Sequence, residues 1–314
     1  MGVADAGKPY VVVHGGVHKT ATSHLQSILQ RNAGRLGKSG IHYIHHREAR
    51  KHYTYPCQLN GYEKLGLAFR RKVPDAALQA LARAFFDRVG AGPGARIILS
   101  DENMPGHCGQ CVRSGDLYQR RDTLIPIFAR NIPYPVREVH LGLRNYAEFF
   151  ASAYVEYLRS ASGADVLGEP AMKRAVLGRM PGWQGLIAVV RASFPEARLI
   201  VWRHEDFAAL SQRIIGNLCG PGIGAEALTG PGRSRGRPSA SDRAVRELLS
   251  EVARIGGKAA LARRVEIQER YPRGPDWPGY DPWTPEERAH LIRLYDRDIA
   301  EIRRRGDVDF LTPG

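Results

Sequence analysis

Short apolar runs alternate along this chain with segments of helical periodicity. Tyr10 to His14 (YVVVH) is brief, rich in β-branched residues and followed by Gly15-Gly16, which predicts a buried strand. Similar runs predict strands at Ile41 to Ile44, Arg96 to Leu99, Val136 to Leu143 and Arg198 to Trp202. Between them the apolar positions recur at helical spacing. Leu25, Ile28 and Leu29 form one such stripe, which Gly34 and Gly37 are expected to stop. Leu78, Leu81, Phe85 and Val89 form a second, and Phe150, Tyr154, Tyr157 and Leu158 a third. This alternation predicts an α/β fold, with a mostly parallel central sheet and helices on both faces.

The last third of the chain changes character. Gly220 to Ser241 is dense in Gly, Pro, Ser and Arg, and no strand-rich module follows it. It therefore reads as a long mobile loop inside one domain, residues 1–314, rather than as a linker. Residues 242–314 are expected to be mainly helical. The final helix opens at Thr284-Pro285-Glu286-Glu287, where Thr caps, Pro suits the first helical position and Glu287 completes a capping box.

Composition narrows the class. With 314 residues, 43% of them hydrophobic and 25% charged, the chain can bury a sizeable core. A net charge of +14 and a pI near 9.9 point to an anionic partner. Arginines are scattered from Arg31 to Arg305 instead of massed on one stretch, which argues against nucleic acid. No basic leader runs into an apolar core, and no segment has the roughly 18 apolar residues that span a bilayer. Ala6 stands where N-myristoylation needs Ser or Thr. Four cysteines in this length argue against a disulfide scaffold, and a cytoplasmic protein with no membrane span is expected.

The densest chemistry follows the first strand, in His14-Gly15-Gly16-Val17-His18-Lys19-Thr20-Ala21-Thr22-Ser23-His24. A strand-to-helix junction of an open α/β sheet lies at the carboxyl edge, where ligands bind. The helix start offers unpaired N–H groups and a positive dipole end, Lys19 adds a full charge, and Thr20, Thr22 and Ser23 add hydroxyls. The segment is an anion cradle, although its Thr residues also suit plain helix capping. An ATPase loop, G-x-x-x-x-G-K-[ST], needs Gly where His18 and Val13 stand.

Lys19, Thr20, Thr22 and Ser23 resemble the 5′-phosphosulfate loop of the sulfotransferase family, close to K-[ST]-G-T-[TS] after a first strand. Ala21 departs at the usual Gly, so its backbone must keep a negative φ or accept strain. Glu138 to Ser152 is similar to the family's 3′-phosphate motif, in which an Arg at a strand end and a Ser eight residues on hold one phosphate. Arg144 and Ser152 keep that spacing. The resemblance implies a P-loop-like sulfotransferase architecture and 3′-phosphoadenosine 5′-phosphosulfate as cosubstrate, with no metal. It also implies a donor site of Lys19, Thr20, Ala21, Thr22, Ser23, His24, Arg144 and Ser152, Lys19 being catalytic. The basic stretch with Arg233, Arg235 and Arg237 lies where relatives bring an extra contact over the nucleotide.

Such chemistry needs a base for the acceptor's proton. After the third strand comes Ser100-Asp101-Glu102-Asn103, and Glu102 is the first choice, with burial expected to raise its pKa. Asp101 is the rival, and His18, His107 and His140 serve if the base is imidazole. The acceptor is a small molecule or glycan, with Tyr53, Tyr55, Tyr62 and Trp183 open to lining a pocket or filling a core. Glu205-Asp206 reads as structural, Cys108-x-x-Cys111 as a loop bordering the acceptor pocket, and the cluster His42, His45, His46 and His52 as solvated surface or acceptor contact. Two competing functions are a P-loop kinase or ATPase, with Ile97 to Glu102 as its magnesium strand, and a noncatalytic polyanion binder.

Overall fold

The computed structural model describes residues 7–69, 71–161, 166–232 and 239–314. Six strands form one sheet: β1 (Tyr10–His14), β2 (Ile41–Ile44), β3 (Arg96–Ser100), β4 (Val136–Leu143), β5 (Arg198–Arg203) and β6 (Asp309–Leu311). Their order is β2-β3-β1-β4-β5-β6, and every pair is parallel. From β1 the chain runs out to β2, returns to β3 and then crosses to β4 on the other side. That reversal opens a crevice at the carboxyl ends beside β1, where this fold class takes its ligands.

Strand alternation sorts the core into two layers. Val11 and Val13 enter one apolar cluster with Ile97, Leu99, Val139 and Leu141, while Val12 enters the other with Ile98, Ile200 and Trp202. The first layer is closed by the helix Tyr146–Ser160 and by the last helix, Pro285–Arg303, through Phe149, Phe150, Leu291 and Tyr295. The second is closed by the helices Thr22–Arg31 and Phe207–Cys219, through Leu25, Leu29, Ile214 and Leu218. The fold is therefore α/β with helices on both faces. Thr284 and Glu287 form the capping box that opens the last helix.

Three local features differ from the sequence pattern. Gly34 and Gly37 do not end the helical run, because a helix Ala33–Lys38 passes through both. The break falls at Asn32, whose amide donates to the Ile28 carbonyl at 2.8 Å and to Thr229 at 2.9 Å. β6 is only three residues long, too short for a period to register. Arg50–Thr54 is a π-helical turn between two α-helices. Of the stretch 220–241, residues 229–232 dock on the first helix, where the Thr229 and Gly232 amides donate to Asn32 and Ser27. Arg233, Arg235 and Arg237 lie outside the described residues. Among the described residues no helix is long and apolar enough to cross a membrane.

Candidate functional site

The loop after β1 is held in a strained form. Lys19 and Ala21 have φ of 69° and 64°, in the left-handed region that L-residues avoid. Ala21 thus takes the conformation that suits Gly and caps the Thr22–Arg31 helix from it. The loop sits tight on β4: a Cβ on Gly142 would lie 3.0 Å from Thr20 Cβ and from Trp202 Nε1. Thr20 is consequently buried and donates to the Val17 carbonyl at 2.7 Å. Its hydroxyl faces into the loop, which corrects the expectation of a ligand-facing donor there.

A cavity of about 560 Å³ opens beside the loop, lined by Lys19, Ala21, Thr22 and Ser23 together with Arg50 and Glu102. His18, Asn103, His107 and Glu156 complete its polar wall. Lys19 Nζ lies 2.8 Å from Glu156 Oε2. The cavity therefore brings together residues from the β1 loop, the π-turn, the end of β3 and the 146–160 helix. His24 is exposed and meets Phe207 edge-on, away from this cavity.

Glu102 is pinned rather than poised. Its carboxylate accepts from Arg50 at 2.8 Å and from Gln26 at 3.2 Å. Burial pushes its pKa up, but His18, Arg50 and a backbone N–H outweigh that and bring it down to about 2. The expected rise is thereby reversed. Arg50, which stays charged, is the lasting part of the pull, since burial lowers His18 to about 4 and leaves it neutral at pH 7. Asp101 is buried, accepts from Arg50 at 2.9 Å and caps the turn through the Asn103 amide at 3.1 Å. Burial and the neighbouring Glu102 carboxylate raise its pKa.

The histidines divide by environment. His18 Nδ1 accepts from the Tyr118 hydroxyl at 2.9 Å, that hydroxyl takes the His18 backbone N–H at 3.0 Å, and Nε2 donates to Asn103 Oδ1 at 3.2 Å. Both ring nitrogens are thus used. His107 stands on the cavity rim, solvent-accessible but crowded by surrounding protein that lowers its pKa together with Arg50 and Arg120, and its ring has no bonding partner among the described residues. His140 is buried in the sheet, 2.8 Å from Glu138, and lines neither of the two cavities beside the β1 loop and Arg144.

Arg144 stands at the carboxyl end of β4, with Asn145 capping the next helix by accepting the Glu148 amide at 2.9 Å. One guanidinium nitrogen donates to the Lys19 carbonyl at 2.9 Å, and another lies 3.3 Å from Glu148. Nε is buried without a partner. Arg144 and Ser152 line a second cavity of about 450 Å³, with Arg246, Arg273 and Arg288 around it. Arg246 and Arg288 are paired with Asp242 and Asp281 at 2.6 and 2.7 Å. Arg273 has no ion pair among the described residues and packs over Gly279. The two cavities flank one helix, with Ser152 and Val155 on the Arg144 side and Glu156 and Tyr157 on the Lys19 side.

Sequence reasoning missed Arg50, Glu156 and Arg273, whose roles depend on pairings across 51 to 137 residues or on one cavity. Of the aromatics, Tyr53, Tyr62 and Trp183 fill the core and Tyr55 is exposed. Glu205 accepts from the Asn145 amide at 2.9 Å and from the Tyr295 hydroxyl at 2.8 Å, a structural role. All four cysteines are buried free thiols. His42, His45 and His52 line a separate hollow along β2. Among the described residues no group of three or more His, Cys, Asp or Glu side chains is placed to hold a metal ion.

No family model matches the chain, and no curated protein matches it. The chain is similar to the crystal structure of a sulfotransferase from Alicyclobacillus acidocaldarius, at 13% identity and a TM-score of 0.37, over 84% of this chain and 95% of that one.

Proposed function

We propose that the protein is a sulfotransferase that takes a sulfuryl group from 3′-phosphoadenosine 5′-phosphosulfate and passes it to a hydroxyl or amine of a small-molecule or glycan acceptor, with the cytoplasm as its compartment. The observation that carries this reading is the double placement of Arg144. One of its nitrogens holds the Lys19 carbonyl, while its partnerless Nε and Ser152 share a second basic cavity. A nucleotide with phosphates on both its 5′ and 3′ sides fits two anion sites that flank one helix.

In this reading Lys19 and the amides of residues 20–23 hold the 5′-phosphosulfate, with Thr22 and Ser23 as hydroxyl donors. Arg144, Ser152 and Arg273 hold the 3′-phosphate through charge-assisted bonds. The acceptor enters the Lys19 cavity, whose wall of Arg50, Glu102, Asn103 and His107 suits a polar molecule. As the acceptor oxygen or nitrogen bonds to sulfur, the bond from sulfur to the phosphate oxygen breaks, and Lys19 stabilises the charge left on that phosphate. Glu102 takes the acceptor's proton. In a loose transition state the proton leaves late, so a carboxylate held in place by Arg50 and Gln26 serves despite its low pKa.

The kinase reading is weakened by a specific contact. It needs Asp101 and Glu102 for magnesium, and Arg50 already bonds both, at 2.9 and 2.8 Å. The test is thermal stabilisation. 3′-Phosphoadenosine 5′-phosphate should raise the melting temperature without added metal, above the effect of AMP, ADP or ATP. A response to magnesium-ATP and none to the 3′-phosphorylated nucleotide would overturn the proposal.

A further inference from the structure

A loop suited to an oxyanion already holds one. Glu156 Oε2 lies 2.8 Å from Lys19 Nζ, in the cavity that Ala21, Thr22 and Ser23 line. Burial pushes the Glu156 carboxyl up, but the bond from Lys19 and the charges of Lys19 and Arg159 outweigh it and hold the pKa below the usual range. Glu156 is therefore an anion at neutral pH. Arg159, on the same helix, lies 3.4 Å from the same carboxylate oxygen. The carboxylate thus has a second cation to lean on when Lys19 turns away.

Position makes the contact more than a surface ion pair. Ser152 and Glu156 lie one turn apart on the helix Tyr146–Ser160, where its two flanks meet the two cavities. Ser152 meets the Arg144 cavity and Glu156 the Lys19 cavity. A ligand that bridges the two anion sites passes Glu156, and its own anion arrives where the carboxylate sits. Two anions against one partly buried ammonium repel each other, so one must leave.

We propose that Glu156 is a tethered competitor for the anion subsite on Lys19, which positions the lysine in the free protein and passes to Arg159 when a ligand's anion takes its place. This rests on reading the Lys19 loop as an anion site. The apparent affinity for the ligand is then reduced by the fraction of molecules in which Glu156 holds Lys19.

The test titrates inorganic pyrophosphate and, separately, 3′-phosphoadenosine 5′-phosphate into the wild type, Glu156→Gln, Glu156→Ala, Lys19→Met and the Lys19→Met/Glu156→Gln pair, at neutral pH by calorimetry. Circular dichroism checks each fold. Glu156→Gln and Glu156→Ala should bind both anions about threefold to tenfold more tightly, the range expected from freeing a partly exposed ion pair. In the Lys19→Met background Glu156→Gln should bring no gain, a coupling that a purely structural role for Glu156 does not produce. Unchanged or weaker binding by both Glu156 variants, or an equal gain without Lys19, would overturn the proposal. If pyrophosphate gains while the nucleotide binds no variant, the sulfotransferase reading falls and the competitor stands. If the nucleotide binds and neither substitution tightens it, the competitor falls and the sulfotransferase reading stands. If neither anion binds any variant, both fall.

Discussion

The Arg144 guanidinium donates to the Lys19 backbone carbonyl at 2.9 Å, tying the end of β4 to the loop after β1 across 125 residues of sequence. The same side chain borders the cavity that contains Ser152. Arg144 is thus both a candidate ligand for one phosphate and a brace for the loop that faces the other.

That double role changes how the two sites are to be separated. Arg144→Ala is expected to weaken 3′-phosphoadenosine 5′-phosphate about tenfold to a hundredfold, and AMP measurably as well, because the Lys19 carbonyl loses its donor. Ser152→Ala touches only the second cavity. It should weaken the 3′-phosphorylated nucleotide about tenfold and leave AMP unchanged, as read by calorimetric titration. Equal losses for both nucleotides in Ser152→Ala would remove Ser152 from the 3′-phosphate.

Strain at Ala21 makes a stability prediction of the opposite sign to the usual one. Its φ of 64° costs an L-residue roughly 1 to 2 kcal/mol, which Gly avoids. Gly gives back part of this through the freedom of the unfolded chain. Ala21→Gly should therefore stabilise the fold by about 1 kcal/mol, measured by denaturant unfolding. A destabilised variant would show that the methyl group is held by contacts that outweigh the strain.

The pH profile separates the two proton acceptors on the cavity wall. A base works when deprotonated, so activity is lost as pH falls through its pKa. With Glu102 near 2, kcat/KM should stay level from pH 8 down to about pH 5. Glu102→Gln should keep nucleotide affinity and lower kcat by about a hundredfold to ten-thousandfold. Asp101→Asn should act on stability instead, since that carboxylate is buried against Arg50 and the Asn103 amide. An acid limb below the ordinary histidine range, abolished by His107→Ala, would move the role to His107.

The sequence by itself determined the five longer strands, the helical C-terminal part and the strand-to-helix junction after β1, which is the proposed anion site. It could do so because each is written in neighbouring residues. Val11, Val12 and Val13 make a strand buried on both faces, Thr284 and Glu287 close a capping box within one turn, and the Gly15-Gly16 break sets the loop at a strand's end. Fold class follows from such local patterns once their order is known.

Only the tertiary structure decided how the charges are spent. Nothing near Glu102 in sequence announces that Arg50, 52 residues away, will pin it and turn an expected rise in pKa into a fall. Nothing near Lys19 announces Glu156, 137 residues on. Thr20 reads as one more hydroxyl of the cradle until the close approach of Gly142 buries it and its hydroxyl turns to the Val17 carbonyl. Backbone patterns are set over a few residues by sterics and periodicity. The protonation and reach of a side chain are set by whichever distant cation, anion or wall the folded chain places against it.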